Sequence, residues 1–186
     1  MKKYLITDPL YYTSDPLIFC EKLLHVLLHV EVDYVCLRDK KTTNYEELAK
    51  AFMNLMQRFP NILALLHTDI ALAKELGAFG VHIPSNSLTD ILKAKALGLN
   101  VFYSAHTISD ALNAQNMGAD SITFSPIFDT PNKGKPVGLE KLKEINDKIH
   151  INCFALGGII NNTQVQACEE VGVYGFASIR YFLDYM

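Results

Sequence analysis

Short apolar runs alternate with amphipathic segments along the whole chain. Each run is nearly continuous in apolar residues, which is typical of strands in a parallel sheet covered on both faces by helices. The predicted strands span residues 4–7, 33–38, 62–66, 80–83, 100–104, 120–125, 152–156 and 174–177. Apolar residues recur at helical spacing between them, and the predicted helices span residues 16–30, 43–58, 69–76, 88–97, 109–117, 139–148 and 163–171, followed by a short terminal helical piece. Ser14 or Asp15 is a plausible N-cap of the first helix.

Eight strand-helix units in strict alternation predict an α/β fold, and more specifically a closed (β/α)8 TIM barrel. We expect one domain over residues 1–186. Barrels of this kind usually need about 200–250 residues. The barrel must therefore be compact with shortened helices, especially between the third and fifth strands. An open doubly wound sheet is the alternative.

Composition and charge limit the kinds of ligand that the protein is expected to bind. The chain has a net charge of −3 and 49% hydrophobic residues, with a pI near 6.0, whereas a nucleic-acid-binding protein needs a basic surface. The four cysteines form no CxxC pair and are expected to be reduced core residues, and no segment is typical of a signal peptide or membrane span. We therefore expect a cytoplasmic protein that binds a small molecule and neither nucleic acid nor a membrane. The oligomeric state stays open, and a homodimer is possible.

Functional residues of TIM barrels lie at the carboxyl ends of the strands. That rule selects Arg38 and Lys40 after the second strand, His67 after the third, Ser104 and His106 after the fifth, Thr130, Asn132 and Lys133 after the sixth, Gly157 and Gly158 after the seventh, and Arg180 after the eighth. The segment after the sixth strand is longer than the usual connection of about 2–6 residues, which favours a functional loop. Hydroxyl, amide and lysine groups there suit an anion. The glycine pair and the start of the last helix are expected to offer N–H groups at helix N-termini to a phosphate.

The chain resembles the thiamine phosphate synthase and TenI family from end to end. The segments that carry the resemblance are Tyr4-Leu-Ile-Thr-Asp8, Cys36-Leu-Arg38-Asp-Lys40, Gly80-Val-His82, Ser104-Ala-His106-Thr107, Gly118-Ala-Asp120, Ser125-Pro-Ile-Phe128-Asp-Thr130 and Leu156-Gly-Gly-Ile159. For a synthase the resemblance implies that Arg38, Lys40 and Lys133 hold the pyrophosphate of a pyrimidine substrate. Ser104 would lie near the pyrimidine, and Thr130 and Gly158 would hold a thiazole phosphate.

The departures from the family pattern concern the metal site. Synthases carry an Asn-Asp pair after the third strand and another Asp after the fourth, and these acids bind Mg²⁺. Here His67-Thr68 and Ile83-Pro-Ser-Asn-Ser87 stand at those positions, with Asp69 the only acid nearby. No metal ligand is therefore assigned, and Mg²⁺ is required only if the chain is a synthase. Asn132 replaces a family threonine, and Arg180 replaces the serine that begins the last helix.

The resemblance favours a TenI-type, metal-independent isomerase that binds a thiazole phosphate. The histidine of the TenI strand-6 loop is also missing, since Pro126 stands there. His67 is the first candidate for the general acid or base and His106 the second, because imidazoles titrate near neutrality. The alternatives are an active Mg²⁺-dependent synthase that couples hydroxymethylpyrimidine pyrophosphate to thiazole phosphate, and a non-catalytic sensor of a phosphate ligand.

Overall fold

The computed structural model describes all residues, 1–186, and contains a closed barrel of eight parallel strands in sequential order. The strands are β1 (Lys2–Ile6), β2 (Tyr34–Leu37), β3 (Leu63–His67), β4 (Gly80–Ile83), β5 (Asn100–Ala105), β6 (Ser121–Phe124), β7 (Asn152–Leu156) and β8 (Gly175–Ser178). Each strand pairs with the next along the chain, and β1 closes the barrel against β8, with Leu5 in register with Ser178. The predicted TIM barrel is confirmed.

Helices surround the barrel, one or more after each strand. They are α1 (Pro9–Tyr12), α2 (Pro16–His29), α3 (Tyr45–Met56), α4 (Ile70–Glu75), α5 (Asp90–Ala96), α6 (Ile108–Asn116), α7 (Gly138–Lys148) and α8 (Asn162–Val171), followed by a 3-10 helix, Tyr181–Tyr185. The compact size comes from α4 and α5, which have only 6 and 7 residues. These are the helices between the third and fifth strands, where the sequence predicts shortening.

Local side-chain chemistry decides where several helices begin. The carboxylate of Asp15 accepts hydrogen bonds from the amides of Leu17 and Ile18, and Asp69 accepts one from Leu72. Each thereby satisfies N–H groups that have no partner inside the helix. The sequence predicts Asp69 as the first residue of a helix, whereas the structure uses it as the N-cap.

The buried side chains form two layers that the closed sheet separates. The outer layer, between the sheet and the helices, contains 43 buried apolar residues, whereas the inner layer contains 8. Most of the apolar surface is therefore buried outside the barrel. The inner layer is rich in aromatic rings, since Tyr4 packs edge-on against Tyr34, Phe102 and Phe154 at centroid distances of 5.2–6.0 Å.

The structure adds one element that the pattern does not predict. The segment after β1 forms α1, a single turn with Pro9 in its first turn and Asp8 as its N-cap. An Asp-Pro pair after an apolar run indicates only a loop, and four residues are too few to show helical periodicity. None of the helices has both the length and the apolar character needed to cross a bilayer. The four cysteines are free thiols, and three of them are buried.

Candidate active site

A cavity of about 610 Å³ opens at the carboxyl ends of the strands. All eleven residues selected from the sequence line it: Arg38, Lys40, His67, Ser104, His106, Thr130, Asn132, Lys133, Gly157, Gly158 and Arg180. The parallel barrel explains this convergence, because it brings the ends of all eight strands to one rim. Their individual roles stay predictions.

One side of the cavity concentrates positive charge. The guanidinium of Arg38 is held by Asp8, with Nη1 and Oδ2 2.7 Å apart. Burial lowers the pKa of Lys40, and the neighbouring charges of Arg38 and Lys133 lower it further. Bringing like charges together costs free energy, so this arrangement suits a polyanionic ligand that would reverse the repulsion.

Another part of the cavity has backbone amides at the ends of β7 and β8. Five cavity-lining residues there have N–H groups that donate to no backbone carbonyl of the chain: Gly157, Gly158, Ile159, Ile179 and Arg180. The two glycines have φ values of 97° and 71°, in the left-handed region. Free N–H groups that converge on one concavity bind anions.

Two details of this amide-rich side differ from the sequence-based expectation. The glycine pair does not lie at a helix N-terminus, because α8 begins only at Asn162 and the side chain of Asn161 caps it. The last helix is a 3-10 helix of five residues, and Arg180 precedes it. The helix termini therefore do not supply the predicted phosphate site, and the groups available to an anion are the free amides themselves.

The loop that follows β6 closes over the glycine pair. Its base is tied to β7, since the amides of Ile127 and Phe128 donate to the carbonyls of Leu156 and Gly157, at 2.9 and 3.0 Å. The hydroxyl of Thr130 donates to the carbonyl of Phe128 at 2.9 Å, so in this conformation its proton is not available to a ligand. Its oxygen can still accept a hydrogen bond.

The loop carries Asn132 and Lys133 at an exposed tip. Asn132 has a φ of 59°, a left-handed conformation that asparagine tolerates better than most residues. Residues 131–136 make only one backbone hydrogen bond, which the amide of Lys133 donates to the carbonyl of Thr130. The side chain of Lys133 can therefore adjust to a ligand at little cost.

The two candidate histidines have different environments. Burial lowers the pKa of His67 to about 3, and the charges of Lys40 and Arg38 add to the effect. The sequence-based expectation that His67 titrates near neutrality is therefore not met, and its ring is neutral. His106 lies with Nδ1 2.9 Å from the carbonyl oxygen of Ser125. A carbonyl only accepts, so Nδ1 carries a proton and donates to it.

The floor of the cavity is a chain of polar groups that crosses the inside of the barrel. Tyr4 Oη lies 2.8 Å from His82 Nδ1, and His82 Nε2 lies 2.9 Å from Ser104 Oγ. Burial lowers the pKa of His82 to about 3, with further contributions from His67 and the two cations, so its ring is neutral. Of Tyr4, His82 and Ser104, only Ser104 is predicted from the sequence as a site residue. The signal for the others is a polar side chain in an otherwise apolar strand.

The residues present do not fit a family-type Mg²⁺ site. Asp69 caps α4 through its carboxylate, and Asp39 accepts hydrogen bonds from the amides of Lys41 and Thr42. No three His, Cys, Asp or Glu side chains converge where a metal ion could be held. Mg²⁺ prefers carboxylate oxygens, but Asp39 and Asp69 are engaged in local structure, and Asp8, which lines the cavity, is paired with Arg38.

A TIM barrel with a cavity lined by cations and free amides at the carboxyl ends of its strands defines the class of protein. Comparison with known sequences then gives the family. The family described as "Thiamine monophosphate synthase" matches residues 3–182. The chain belongs to the thiamine monophosphate synthase and TenI family, as its sequence motifs indicate.

Similar proteins carry synthase names. A protein of Aquifex aeolicus, provisionally named thiamine-phosphate synthase 2, is 37% identical over 97% of both chains. The thiamine-phosphate synthase of Clostridium tetani is 32% identical over 97% of this chain and 87% of its own. Among solved structures, the thiamine phosphate pyrophosphorylase of Pyrococcus furiosus is similar with a TM-score of 0.82 and 25% identity, covering 96% of this chain and 85% of its own. These comparisons do not separate the synthase branch from the TenI branch.

Proposed function

We propose that the protein is a thiamine-phosphate synthase that joins a thiazole phosphate to a pyrimidine carrying a pyrophosphate. The names of its relatives support this assignment over the isomerase that the sequence favours. The observation that carries it is that one cavity contains both a cationic region, with Arg38, Lys40 and Lys133, and an amide-rich region after β7 and β8. An isomerase acting on one phosphate needs only one such region, whereas a coupling reaction needs both.

The cationic side accounts for the leaving group. The ring nitrogen of the thiazole supplies the electron pair for the new bond to the methylene carbon of the pyrimidine. The bond between that carbon and oxygen breaks, and its electron pair leaves with pyrophosphate. Arg38, Lys40 and Lys133 neutralise the charge that develops on the pyrophosphate. The relief of repulsion at Lys40 adds to this stabilisation.

The amide-rich side holds the second substrate. The N–H groups at Gly158 and Ile159 donate to the phosphate of the thiazole, and the guanidinium of Arg180 adds charge-assisted hydrogen bonds. Holding both substrates in one cavity replaces a bimolecular encounter by positioning, which contributes much of the rate of such a displacement. No step is assigned to a metal, because the residues present do not fit one.

Formation of thiamine phosphate from the two substrates tests this proposal directly. Lys133→Ala should lower the rate by about 10-fold to 100-fold, since a charge-assisted hydrogen bond contributes about 1.5–3 kcal/mol. Lys135→Ala is the matched control, because it removes the same charge from the same loop but Lys135 does not line the cavity. Equal effects of the two variants would show that loop charge in general, rather than a contact of Lys133, supports the reaction.

A second candidate function is the TenI-type isomerisation of a thiazole phosphate. The observation that favours it is the absence of carboxylates from the ends of β3 and β4, where His67-Thr68 and Pro84 to Ser87 stand. Proton transfer at the thiazole ring requires a base within hydrogen-bonding reach, and both His67 and His106 line the cavity.

Exchange of thiazole ring protons with solvent tests the isomerase candidate. If the protein is an isomerase, His67→Ala or His106→Ala should reduce exchange by about 10²–10⁴-fold, the usual share of general acid-base catalysis. His67 remains the first candidate, although its low pKa favours a role as a neutral hydrogen-bonding group. Binding of the thiazole phosphate without either reaction would favour the sensor.

A further inference from the structure

The inner layer of the barrel contains a polar chain whose members come from three strands, of which β4 and β5 are neighbours and β1 lies across the barrel. Tyr4 lies on β1, His82 on β4 and Ser104 on β5. The phenol ring of Tyr4 is fully buried, and His82 is 3% exposed. Burying polar groups inside an apolar layer costs free energy unless each finds a partner. The three groups satisfy one another in a single file that ends at the cavity.

The hydrogen bonds in the file Tyr4–His82–Ser104 have one favoured assignment of donors and acceptors. Burial raises the pKa of Tyr4 well above its ordinary value, so the phenol keeps its proton. That proton has two acceptors within reach, His82 Nδ1 and the sulfur of Cys36. An imidazole nitrogen is a good acceptor, whereas a thiol sulfur is a weak one. The Tyr4 hydroxyl therefore donates to Nδ1.

The direction of the first hydrogen bond fixes the second. A neutral imidazole carries one proton, and with Nδ1 acting as acceptor that proton is on Nε2. His82 Nε2 lies 2.9 Å from Ser104 Oγ and donates to it. The hydroxyl hydrogen of Ser104 is then free for a third group, and Ser104 lines the cavity.

We propose that Tyr4 and His82 are positioning residues that make the Ser104 hydroxyl a hydrogen-bond donor toward a ring nitrogen of the bound heteroaromatic substrate. The inference rests on the proposed function, which places a pyrimidine in this cavity. A pyrimidine nitrogen has a lone pair and no hydrogen, so it accepts from a donor and gains nothing from an acceptor. The buried file thus selects a nitrogen-containing ring without placing a charge beside it.

The tautomer of His82 is the first test, and it needs no substrate. Long-range ¹⁵N–¹H NMR of histidine-labelled protein at neutral pH should show the Nε2-protonated form, assigned by the loss of its signals in His82→Gln. Tyr4→Phe keeps the ring that packs against Phe102 and Phe154 but removes the hydroxyl, and should shift His82 toward a mixture of tautomers. An Nδ1-protonated His82 in the unmodified protein, or an unchanged tautomer in Tyr4→Phe, would overturn the proposal.

A pair of probe ligands gives the second test. Pyrimidin-5-ylmethyl phosphate and benzyl phosphate have nearly the same shape, but only the first has ring nitrogens. Calorimetry should show a preference of about tenfold for the pyrimidine, the usual magnitude for one hydrogen bond. Ser104→Ala should abolish the preference, and Tyr4→Phe should reduce it several-fold.

Thr123→Val supplies the matched control for these variants. Thr123 is fully buried, is in register with Ser104, and has a hydroxyl without a hydrogen-bond partner. Its neighbours Ile122 and Phe124 belong to the outer layer, so strand alternation places Thr123 on the inner face. The variant removes a buried hydroxyl next to the file without breaking it, and should keep the pyrimidine preference. A loss as large as in Tyr4→Phe would contradict a specific role for the file.

The two proposals fail in different experiments. If no thiamine phosphate forms but the tautomer and the ring preference are as stated, the proposed reaction is wrong and the positioning role stands. If thiamine phosphate forms but the ring preference survives in Tyr4→Phe, the positioning role is wrong and the reaction stands.

Discussion

Arg180 follows β8 and adds a guanidinium to the side of the cavity formed by the free amides. Replacing Arg180 tests whether side-chain charge or backbone amides contribute more to phosphate binding. Arg180→Ala should weaken the binding of thiazole phosphate by about 1.5–3 kcal/mol, since a charge-assisted hydrogen bond is lost. Calorimetry measures the change, with Arg58→Ala as a control because Arg58 is exposed and does not line the cavity. Unchanged affinity would mean that the amides alone hold the phosphate.

His67 and His82 should make the stability of the fold depend on pH. Their pKa values of about 3 in the folded state lie below the ordinary value of about 6.5 that applies to the unfolded chain. Between these values the unfolded chain binds protons that the folded protein does not. The free energy of unfolding therefore falls as the pH decreases from about 6.5 toward 3, by up to about 1.4 kcal/mol per pH unit for each histidine.

Urea unfolding at several pH values within that window measures this slope. His67→Gln should have a shallower slope than the unmodified protein, because one group that takes up a proton on unfolding is gone. The same slope in both proteins would show that His67 is protonated in the folded state as easily as in the unfolded chain. It would then add a positive charge to the cavity below about pH 6.5.

At the scale of the elements, the strand-helix order could be read from the sequence because apolar periodicity and capping residues agree with each other. Asp15 and the short helices α4 and α5 illustrate this agreement. The turn α1 is too short to have a period. The file from Tyr4 through His82 to Ser104 joins residues 78 and 22 positions apart, and a sequence alone does not reveal which inward-facing residues meet across a closed barrel.

The turn between β7 and α8 depends on its two glycines for space as well as for conformation. A Cβ atom on Gly158 would lie 2.5 Å from the carbonyl oxygen of Asp129, which belongs to the loop after β6. Gly158→Ala should therefore lower the free energy of unfolding by about 2–4 kcal/mol and weaken phosphate binding, because the loop must move.

Gly172, at the end of α8, isolates the conformational part of that cost. Its φ is 85°, but a Cβ atom there would meet nothing within 4 Å. Gly172→Ala should cost about 1 kcal/mol and leave binding unchanged. Equal losses for the two variants, measured by urea unfolding, would show that backbone strain rather than contact with the loop determines the effect.

At the scale of the whole molecule, the cavity is lined by amides and cations, and its one lining carboxylate, Asp8, is paired with Arg38. Binding of thiazole phosphate should therefore not require Mg²⁺. Calorimetry in EDTA and in added Mg²⁺ should give affinities within about a factor of two, a difference of less than 0.5 kcal/mol. Binding that appears only with Mg²⁺ would show that Asp39 or Asp69 leaves its local hydrogen bonds to hold the ion.

The pairing of β1 with β8 also has a consequence for how the molecule folds. Seven of the eight strand pairings join neighbours in the chain, and this one joins its two ends. The loss of chain entropy on loop closure is greatest for contacts far apart in sequence, and such contacts slow folding. Tyr4 lies on β1, one of the two strands that close the barrel. An intermediate with a partly open sheet would leave His82 without its partner Tyr4, so the polar floor of the cavity is completed only when the barrel closes.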